Sequence, residues 1–494
     1  MLSCPDFNPC LINYQLLSDA RIQKPTFAPS KNTFMQRDSL DFRNMSIGKL
    51  FTKQLIPNIL GMIASALFII VDGIFVGRGI GSDAMAAVNI VAPISMLITG
   101  IGLMFGTGGS VLASINMSRA KERIANINIT QSTTVCFIFT AIITVVMLLC
   151  PFHVVRLFGA EGELIGPASE YLFWYSINLP FTALFVALSF FVRLTNPRYS
   201  MWCMLTGTVI NIVLDYIFIF EFEWGLMGAA VATDIGEIVG SSMLLAYLFR
   251  KSIAIRFTRF KASLKSIRLT LRNTGYMVRL GFPTFLSEAT IAIMAISGNF
   301  VFMHYLGTDG VAAFSIACYL FPIIFMVYNA TVQSAQPIIS FNYGCGQMER
   351  ANQAFRRAVV FAMSVGFVIT VCSFLFSAKV VSLFVPDPSN PTFGIAVSGL
   401  PLFALDFIFF AFNIVVIGYY TSIERVKRAT TLTLLRGILP VVYFYTLPEL
   451  FSVTGIWLAV GSGDMTTTIF IVILAWADKK RKHEKTDRRT EPIR

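Results

Sequence analysis

Twelve apolar runs lie between residues 51 and 476, each near the length needed to cross a bilayer. A membrane helix takes about 20 mostly apolar residues. The approximate limits are 51–77, 88–113, 130–150, 168–192, 200–220, 225–249, 277–304, 311–337, 355–376, 396–420, 430–448 and 452–476. Lipid offers no partners to backbone N–H and C=O groups, so such runs must be helical. The wider composition agrees: 55% of the 494 residues are apolar, 13% are charged, and mean hydropathy is +0.69. A soluble domain carries about 25% charged residues. A water-soluble enzyme, a nucleic-acid-binding domain and a disordered chain are therefore excluded, and an all-α integral membrane protein is expected.

The charges between the runs set an orientation. There are 39 Lys and Arg against 27 Asp and Glu, a net charge of +12. The even-numbered loops hold Arg119, Lys121 and Arg123; Arg193 and Arg198; Arg350, Arg356 and Arg357; and Arg425, Lys427 and Arg428. The long central loop carries Arg250, Lys251, Arg256, Arg259, Lys261, Lys265, Arg268 and Arg272, and the tail adds Lys479, Lys480, Arg481, Lys482, Arg488 and Arg489. Odd-numbered loops offer little beyond Arg78, Arg156 and Lys379, with Asp83, Glu161, Glu163, Glu221, Glu223 and Asp309 against them. Basic loops face the cytoplasm. Both termini are then cytoplasmic, and an odd number of spans would break the alternation. A positive balance confined to loops marks a membrane surface, and no nucleic-acid partner is expected.

Metal and disulfide chemistry has little support. None of the eight cysteines forms a CxxC pair, and His153, His304 and His483 are far apart. A zinc site or disulfide framework needs closer spacing. The first stretch, 1–45, is polar and proline-containing and lacks the apolar centre of a signal peptide. It is expected to be a disordered cytoplasmic tail, or to lie upstream of a true start at Met45, the second being favoured. The remaining divisions are a six-helix lobe at 46–250, a basic linker at 251–275, a second six-helix lobe at 276–477, and a basic tail at 478–494.

The second lobe repeats the first. At an offset of 226, Pro57 matches Pro283, Gly81 matches Gly307, Asp83 matches Asp309, and Ala86-Ala87 match Ala312-Ala313. Ser114 and Asn116 match Ser340 and Asn342. At 227, Glu122-Arg123 match Glu349-Arg350, Gly228 matches Gly455, and Glu237 matches Asp464. Six spans per half preserve orientation, so the repeat is parallel, about an axis along the membrane normal. Two bundles face a central cavity that can open to either side, which suits a transporter better than a channel.

Charge at membrane depth carries the chemistry. A central Asp costs about 2.5–3.5 kcal/mol on insertion scales, so such residues are functional candidates. Asp72, Asp215, Asp234, Glu237, Glu288, Asp406 and Asp464 fall within spans, against one deep base, Arg436, which is able to snorkel toward the cytoplasmic end. The excess of acid favours a cationic cargo or a coupling cation. Asp72 and Asp215 each lie about five residues, or ~8 Å, from the outer ends of spans one and five. Asn211 is one turn from Asp215 on the same face, and Thr233 lies about 12 Å inside span six. Asp72, Asn211, Asp215 and Thr233 are thus placed to meet in the outer half of the first bundle. Two carboxylates, an amide oxygen and a hydroxyl suit a hard monovalent cation such as Na⁺. They equally suit proton exchange, because two carboxylates in a low dielectric resist being ionised together.

Glu237, Glu288, Asp406 and Asp464 are candidates for the cargo cavity, though Asp234, Glu237 and Asp464 are also placed to bond neighbouring helices. Pro57 and Pro283 sit inside spans one and seven as candidate hinges. The glycines at 100, 102, 106, 108, 109, 225 and 228 permit close helix approach, and no strand precedes them as a phosphate loop would require.

The residues resemble the multidrug and toxic compound extrusion (MATE) family, particularly its prokaryotic DinF-type branch. The likeness covers roughly 46–476. It rests on Pro57 standing fifteen residues before Asp72, on VDGIFVGRGIGSDAMAAV (71–88), on NIVLDYIFIF (211–220) followed by GLMGAAVAT (225–233), and on LGTDGVAAFS (306–315) and FNYGCGQ (341–347). The resemblance implies a V-shaped, two-lobed, twelve-helix antiporter of the cytoplasmic membrane. Such proteins export organic cations or amphipathic toxins in exchange for Na⁺ or H⁺, with no bound cofactor. In this branch a helix-1 Asp, a helix-5 Asn-x-x-x-Asp pair and a helix-6 Thr form the coupling site, which falls on Asp72, Asn211, Asp215 and Thr233. Relatives that couple through the second lobe have an acid further along helix 7 than Glu288, so that role is not transferred. The chain is read as a monomeric secondary antiporter. The rivals are a dedicated metabolite exporter and a lipid-linked saccharide flippase, the latter expected to carry basic cavity residues. An integral-membrane enzyme would need His, Cys or Asp clustered at loop edges, as in H-x-x-E-H, and none is present.

Overall fold

A computed structural model describes residues 40–490 except 159, 161, 251–253 and 260–262. Expectations for residues 1–39, and for the parts of the basic linker just named, lie outside the described residues. All regular structure among the described residues is helical. The first half contains α1 (Ile47–Gly79), α2 (Ser82–Ser118), α3 (Glu122–Leu149), a short α4 (Pro151–Leu157), α5 (Ile165–Ser176), α6 (Leu179–Arg193), α7 (Pro197–Tyr216) and α8 (Gly225–Leu248). The second contains α9 (Leu264–Gly344), α10 (Met348–Ser382), α11 (Pro391–Ala404), α12 (Asp406–Ser422) and α13 (Val426–Thr490).

Among the described residues nine helices are long and apolar enough to cross a membrane, ten with one bent pair. Dividing the two kinked ones gives twelve crossings, as the apolar runs predict. α9 reverses at Gly307 (φ 63, ψ −154) and α13 at Ser452 (φ 50, ψ −133), so each supplies two crossings. Glycine accepts that backbone freely, whereas Ser452 holds it at about 1–3 kcal/mol of strain. The fourth crossing is a broken helix: Gly162–Ser176 meets Leu179–Arg193 at 53°. The tenth, Pro391–Ser422, runs from α11 into α12 through Leu405, which keeps helical φ/ψ. The fifth ends in a π-helical turn, Ile217–Glu221. The basic linker is partly helical, since α9 begins at Leu264, and α13 runs on past the twelfth crossing.

The buried apolar residues gather into two main clusters, one drawn mostly from residues 76–255 and the other mostly from 301–471. α1 belongs to both. Its start, Ile47, Leu50, Phe51 and Leu55, is buried in the second cluster, while Val76 near its end is buried in the first. The residues before α1 are packed rather than loose. Phe42 is buried and stacks on Phe341 at 5.3 Å between centroids. Arg350 donates to the Phe42 and Met45 carbonyls at 3.2 and 2.8 Å and to Asn342 Oδ1 at 3.0 Å. Asp41 accepts the backbone N–H groups of Arg43 and Asn44, each at 3.0 Å. Slight burial opposes ionisation of Asp41, but these bonds prevail and hold its carboxyl below the usual range.

Candidate functional site

α7 and α8 cross where both lack side chains. A methyl group built on Gly236 would stand 2.7 Å from the Gly207 carbonyl oxygen, so the backbones touch. This contact sets Asn211, one turn beyond Gly207, beside Thr233 on α8. Asn211 Nδ2 donates to Thr233 Oγ1 at 3.2 Å. Asp215, one turn further along α7, is wholly buried. Asp72 on α1 meets it closely enough for the two carboxyl groups to share a hydrogen bond. The Asn211 side chain is also within reach of Asp215, while Asp72 Oδ1 and Asn211 Oδ1 are buried without a hydrogen-bond partner among the described residues. The four residues predicted to meet do meet.

Tyr171 on α5 closes the site, interacting electrostatically with Asp72, Asp215 and Asp234. Its neighbour Tyr175 stacks on it at 6.0 Å and donates to Ser95 Oγ at 2.8 Å. No Lys, Arg or His forms an ion pair with Asp72 or Asp215 among the described residues. The arrangement is a pair of like-charged groups, Asp215 wholly buried and Asp72 half-buried with its Oδ1 shielded, and with free oxygen lone pairs. Uncompensated, both cannot be ionised. A proton or a small cation satisfies them, and its departure restores the repulsion.

The remaining acids separate into three settings. Asp234 and Glu237 lie inside the first bundle, where Glu237 Oε2 accepts from Asn178 Nδ2 at 3.0 Å and from the Thr182 hydroxyl. Asp406 and Asp464 lie inside the second, both wholly or nearly wholly buried. Arg436 does not snorkel out. It is 6% exposed, with Nε 3.3 Å from Asp464 Oδ1 and its guanidinium 3.9 Å above the Phe410 ring. Asn413 Nδ2 also donates to Asp464 Oδ1, at 2.8 Å.

Glu288 alone of these acids lines the cavity between the bundles. That cavity is partly open to solvent, has about 40 Å³ of room for water-sized groups, and is walled by residues of α2, α6, both arms of α9, and α12. Pro283 lines it as well. Asn329, Gln333 and Gln336 follow one another at helical spacing on the second arm of α9 and turn three carboxamides onto it. Glu288 is the one ionisable side chain among the lining residues described. Gln333 accepts from Arg193, which is 2% exposed and lies 5.5 Å over Phe190. Beside it, Gln54 donates to the Arg193 carbonyl at 3.1 Å and Asn58 donates to Ser334 Oγ at 2.7 Å. These contacts tie α1, α6 and α9 together.

The family model named MatE matches residues 57–217 and 283–446. The chain belongs to the MatE family. The two matched segments begin at Pro57 and Pro283, the residues that open the internal repeat. Among curated relatives, this MatE chain is similar to the multidrug export protein MepA of Staphylococcus saprophyticus subsp. saprophyticus: 25% identity over 418 residues, covering 84% of this chain and 90% of that protein. MepA of Staphylococcus aureus is also 25% identical, over 412 residues, covering 81% and 87%. Two solved structures share the fold. A crystal structure of MATE in complex with MaL6 superposes with TM-score 0.81 at 23% identity, covering 90% of this chain and 98% of that one. An outward-facing multidrug resistance MATE family transporter of the MOP superfamily gives 0.81 and 23%, covering 90% and 97%.

Several site residues of this MatE chain carry only a faint sequence signal. Arg193 reads as one more loop charge because it ends an apolar run. Asn178 precedes Leu179-Pro180, which is a helix-start pattern inside an apolar run and marks the broken fourth crossing. Tyr171 and Thr182 have no signal beyond helical spacing from these.

Proposed function

We propose that this MatE protein is a secondary antiporter that exports organic cations or amphipathic drugs by alternating access, in exchange for Na⁺ or H⁺. The carrying observation is the shielded, base-free meeting of Asp72 and Asp215 beside Asn211 and Thr233. Binding of a proton or Na⁺ there removes a repulsion that the site cannot otherwise relieve. α1 couples that event to the second bundle, because its far half carries Asp72 and its near half is packed in the second core. Pro57 between them is the candidate hinge, with Pro283 at the cavity wall as its counterpart. Cargo occupies the central cavity, its positive charge facing Glu288 and its polar groups facing the carboxamides.

The export of drugs by the MepA relatives supports the cargo class. The acidic cavity speaks against the lipid-linked saccharide flippase, whose pyrophosphate would call for bases. The protein is placed in the cytoplasmic membrane as a monomer, with both termini on the cytoplasmic side, where the basic loops lie.

Ethidium efflux from proteoliposomes, under a Na⁺ gradient and a pH gradient imposed separately, tests the reading. Efflux driven by one gradient and lost in Asp72→Asn or Asp215→Asn supports it. Driven efflux that survives both substitutions together would discard the site.

A further inference from the structure

Both halves of the chain place an acid of the repeat opposite the junction of two helical segments, and among the described residues the first junction is the sharply bent one. In the first half, α5 ends at Ser176 and α6 begins at Leu179, facing Glu237 on α8. In the second, α11 passes into α12 through Leu405, which keeps helical geometry (φ −59, ψ −27), and Asp406 there faces Asp464 on α13. Glu237 and Asp464 are the same position of the repeat, 227 residues apart. Broken helices at membrane depth are where transporters hold their ions.

The two junctions differ in one further respect. The second holds a cation of its own, the Arg436 guanidinium, against Asp464. The residue 227 positions before Arg436 is Val209, an exposed apolar side chain. The first break therefore has acids and no tethered cation. No Lys, Arg or His forms an ion pair with Asp234 or Glu237 among the described residues.

The side chains at the first break are arranged around that deficit. Asn178 stands at the N-cap of α6, where its oxygen would ordinarily accept a backbone N–H, yet it makes no such bond. It turns to Glu237 instead, and its Oδ1 is buried without a partner. Thr182, one turn along α6, donates to the same Glu237 oxygen. Asp234, one turn before Glu237 on α8, is in electrostatic contact with Glu237 and with the Asn178 side chain. Asp234 is 7% exposed and its Oδ1 has no partner. Ser176 Oγ, at the break itself, is buried and unpartnered too. Tyr171 and Tyr175 face this group from α5, with Asp72 on α1 and Asp215 on α7 beyond Tyr171.

We propose that Asp234, Glu237, Asn178 and Thr182 form a second cation site, taking one Na⁺ where the other half of the molecule uses Arg436. The ligands are carboxylate, carboxamide and hydroxyl oxygens, which suit a hard cation. Only two are acids, and no group of three His, Cys, Asp or Glu poised for a metal occurs among the described residues, so the site favours a monovalent ion. Ascribing the ion to transport rests on the antiporter reading. Two Na⁺ would then enter for each monovalent cargo leaving, and each cycle would move net charge.

Equilibrium binding of ²²Na⁺ to the full chain purified in detergent tests this directly. Two Na⁺ per chain are expected in the unsubstituted protein. One is expected in Asp215→Asn, and one in Asp234→Asn with Glu237→Gln. Thr182→Val removes a single oxygen and guards against a misfolded double variant: it should weaken one of two sites roughly tenfold. No bound Na⁺ in the unsubstituted protein overturns the proposal, as does a double variant that binds as much Na⁺ as the unsubstituted protein. A single Na⁺ kept in Asp215→Asn and lost in the double variant upholds it and makes the ion at Asp72 and Asp215 a proton. Two bound Na⁺ without ethidium efflux under either gradient would sink the antiporter reading and leave the site. Driven efflux with Na⁺ binding that the double variant keeps in full would do the reverse.

Discussion

Arg436 Nε lies 3.3 Å from Asp464 Oδ1, and the two residues are 6% and 2% exposed. Asp406 lies against the same carboxylate. One guanidinium therefore faces three acids, Asp464, Asp406 and Glu288, helped by Asn413 and the face of Phe410. Breaking a buried pair from one side typically costs about 3–5 kcal/mol, because the partner charge stays buried. Arg436→Met should lower the melting temperature in detergent by several degrees, and adding Asp464→Asn should recover part of the loss. An unchanged melting curve in the single variant would mean that the acids are neutral without Arg436.

The Gly207–Gly236 contact is expected to be as important as the acids it aligns. A side chain at Gly236 would meet the Gly207 carbonyl at 2.7 Å and Asn211 Cβ at 2.9 Å. Gly236→Val should push α8 from α7, cost about 1–3 kcal/mol, and abolish gradient-driven efflux by separating Asn211 from Thr233. Gly166→Ala, where a methyl group meets nothing within 4 Å, is the control and should transport normally.

Glu288 is the charge that a cargo meets in the cavity. Glu288→Gln keeps the shape and removes the charge. The KM for ethidium should rise roughly tenfold, the equivalent of about 1.4 kcal/mol, while a neutral amphipathic cargo should be unaffected. Equal loss for both cargoes would show that Glu288 supports the fold of the wall and not the charge of the site.

Arg193 ties α6 to Gln333 on the other side of the cavity without a carboxylate among its described partners. Its replacement by a long apolar residue should change stability little but loosen this bridge. In Arg193→Met, a cysteine placed at Gln336 should react faster with an impermeant maleimide added on the side of the basic loops. Labelling at the unsubstituted rate would show that the bridge does not restrain access.

Much of this was legible along the chain. The crossings are local: hydropathy over about 20 residues decides them, and the reversals at Gly307 and Ser452 only join them differently. The Asn211–Asp215 spacing is local too, since one helical turn puts both on a face. Asp72 with Asp215, and Asn211 with Thr233, could be inferred from depth because helices of known direction bring equal depths level. The sequence alone reads 168–192 as one unbroken run; the break at Asn178 and Pro180, and the partner of Asn178, come only from the structure. Arg436 illustrates the other side. An arginine near a span end has two outcomes, a snorkelled head or a buried pair, and only the folding of α13 back on itself at Ser452, with α12 alongside, selects the second.

The amino-acid sequence by itself determined that the chain is a twelve-crossing membrane protein built from two like halves, with acids in its interior and bases at one face. These follow from hydropathy, charge placement and the repeat, all of which act over short stretches or by simple register. The tertiary structure decided which acids meet each other, which one lines the cavity, and which one is already neutralised. Rotation of each helix about its axis and the packing of small residues settle those questions. Two side chains such as Arg436 and Ser287, 149 residues apart, become neighbours only when every helix between them is in place.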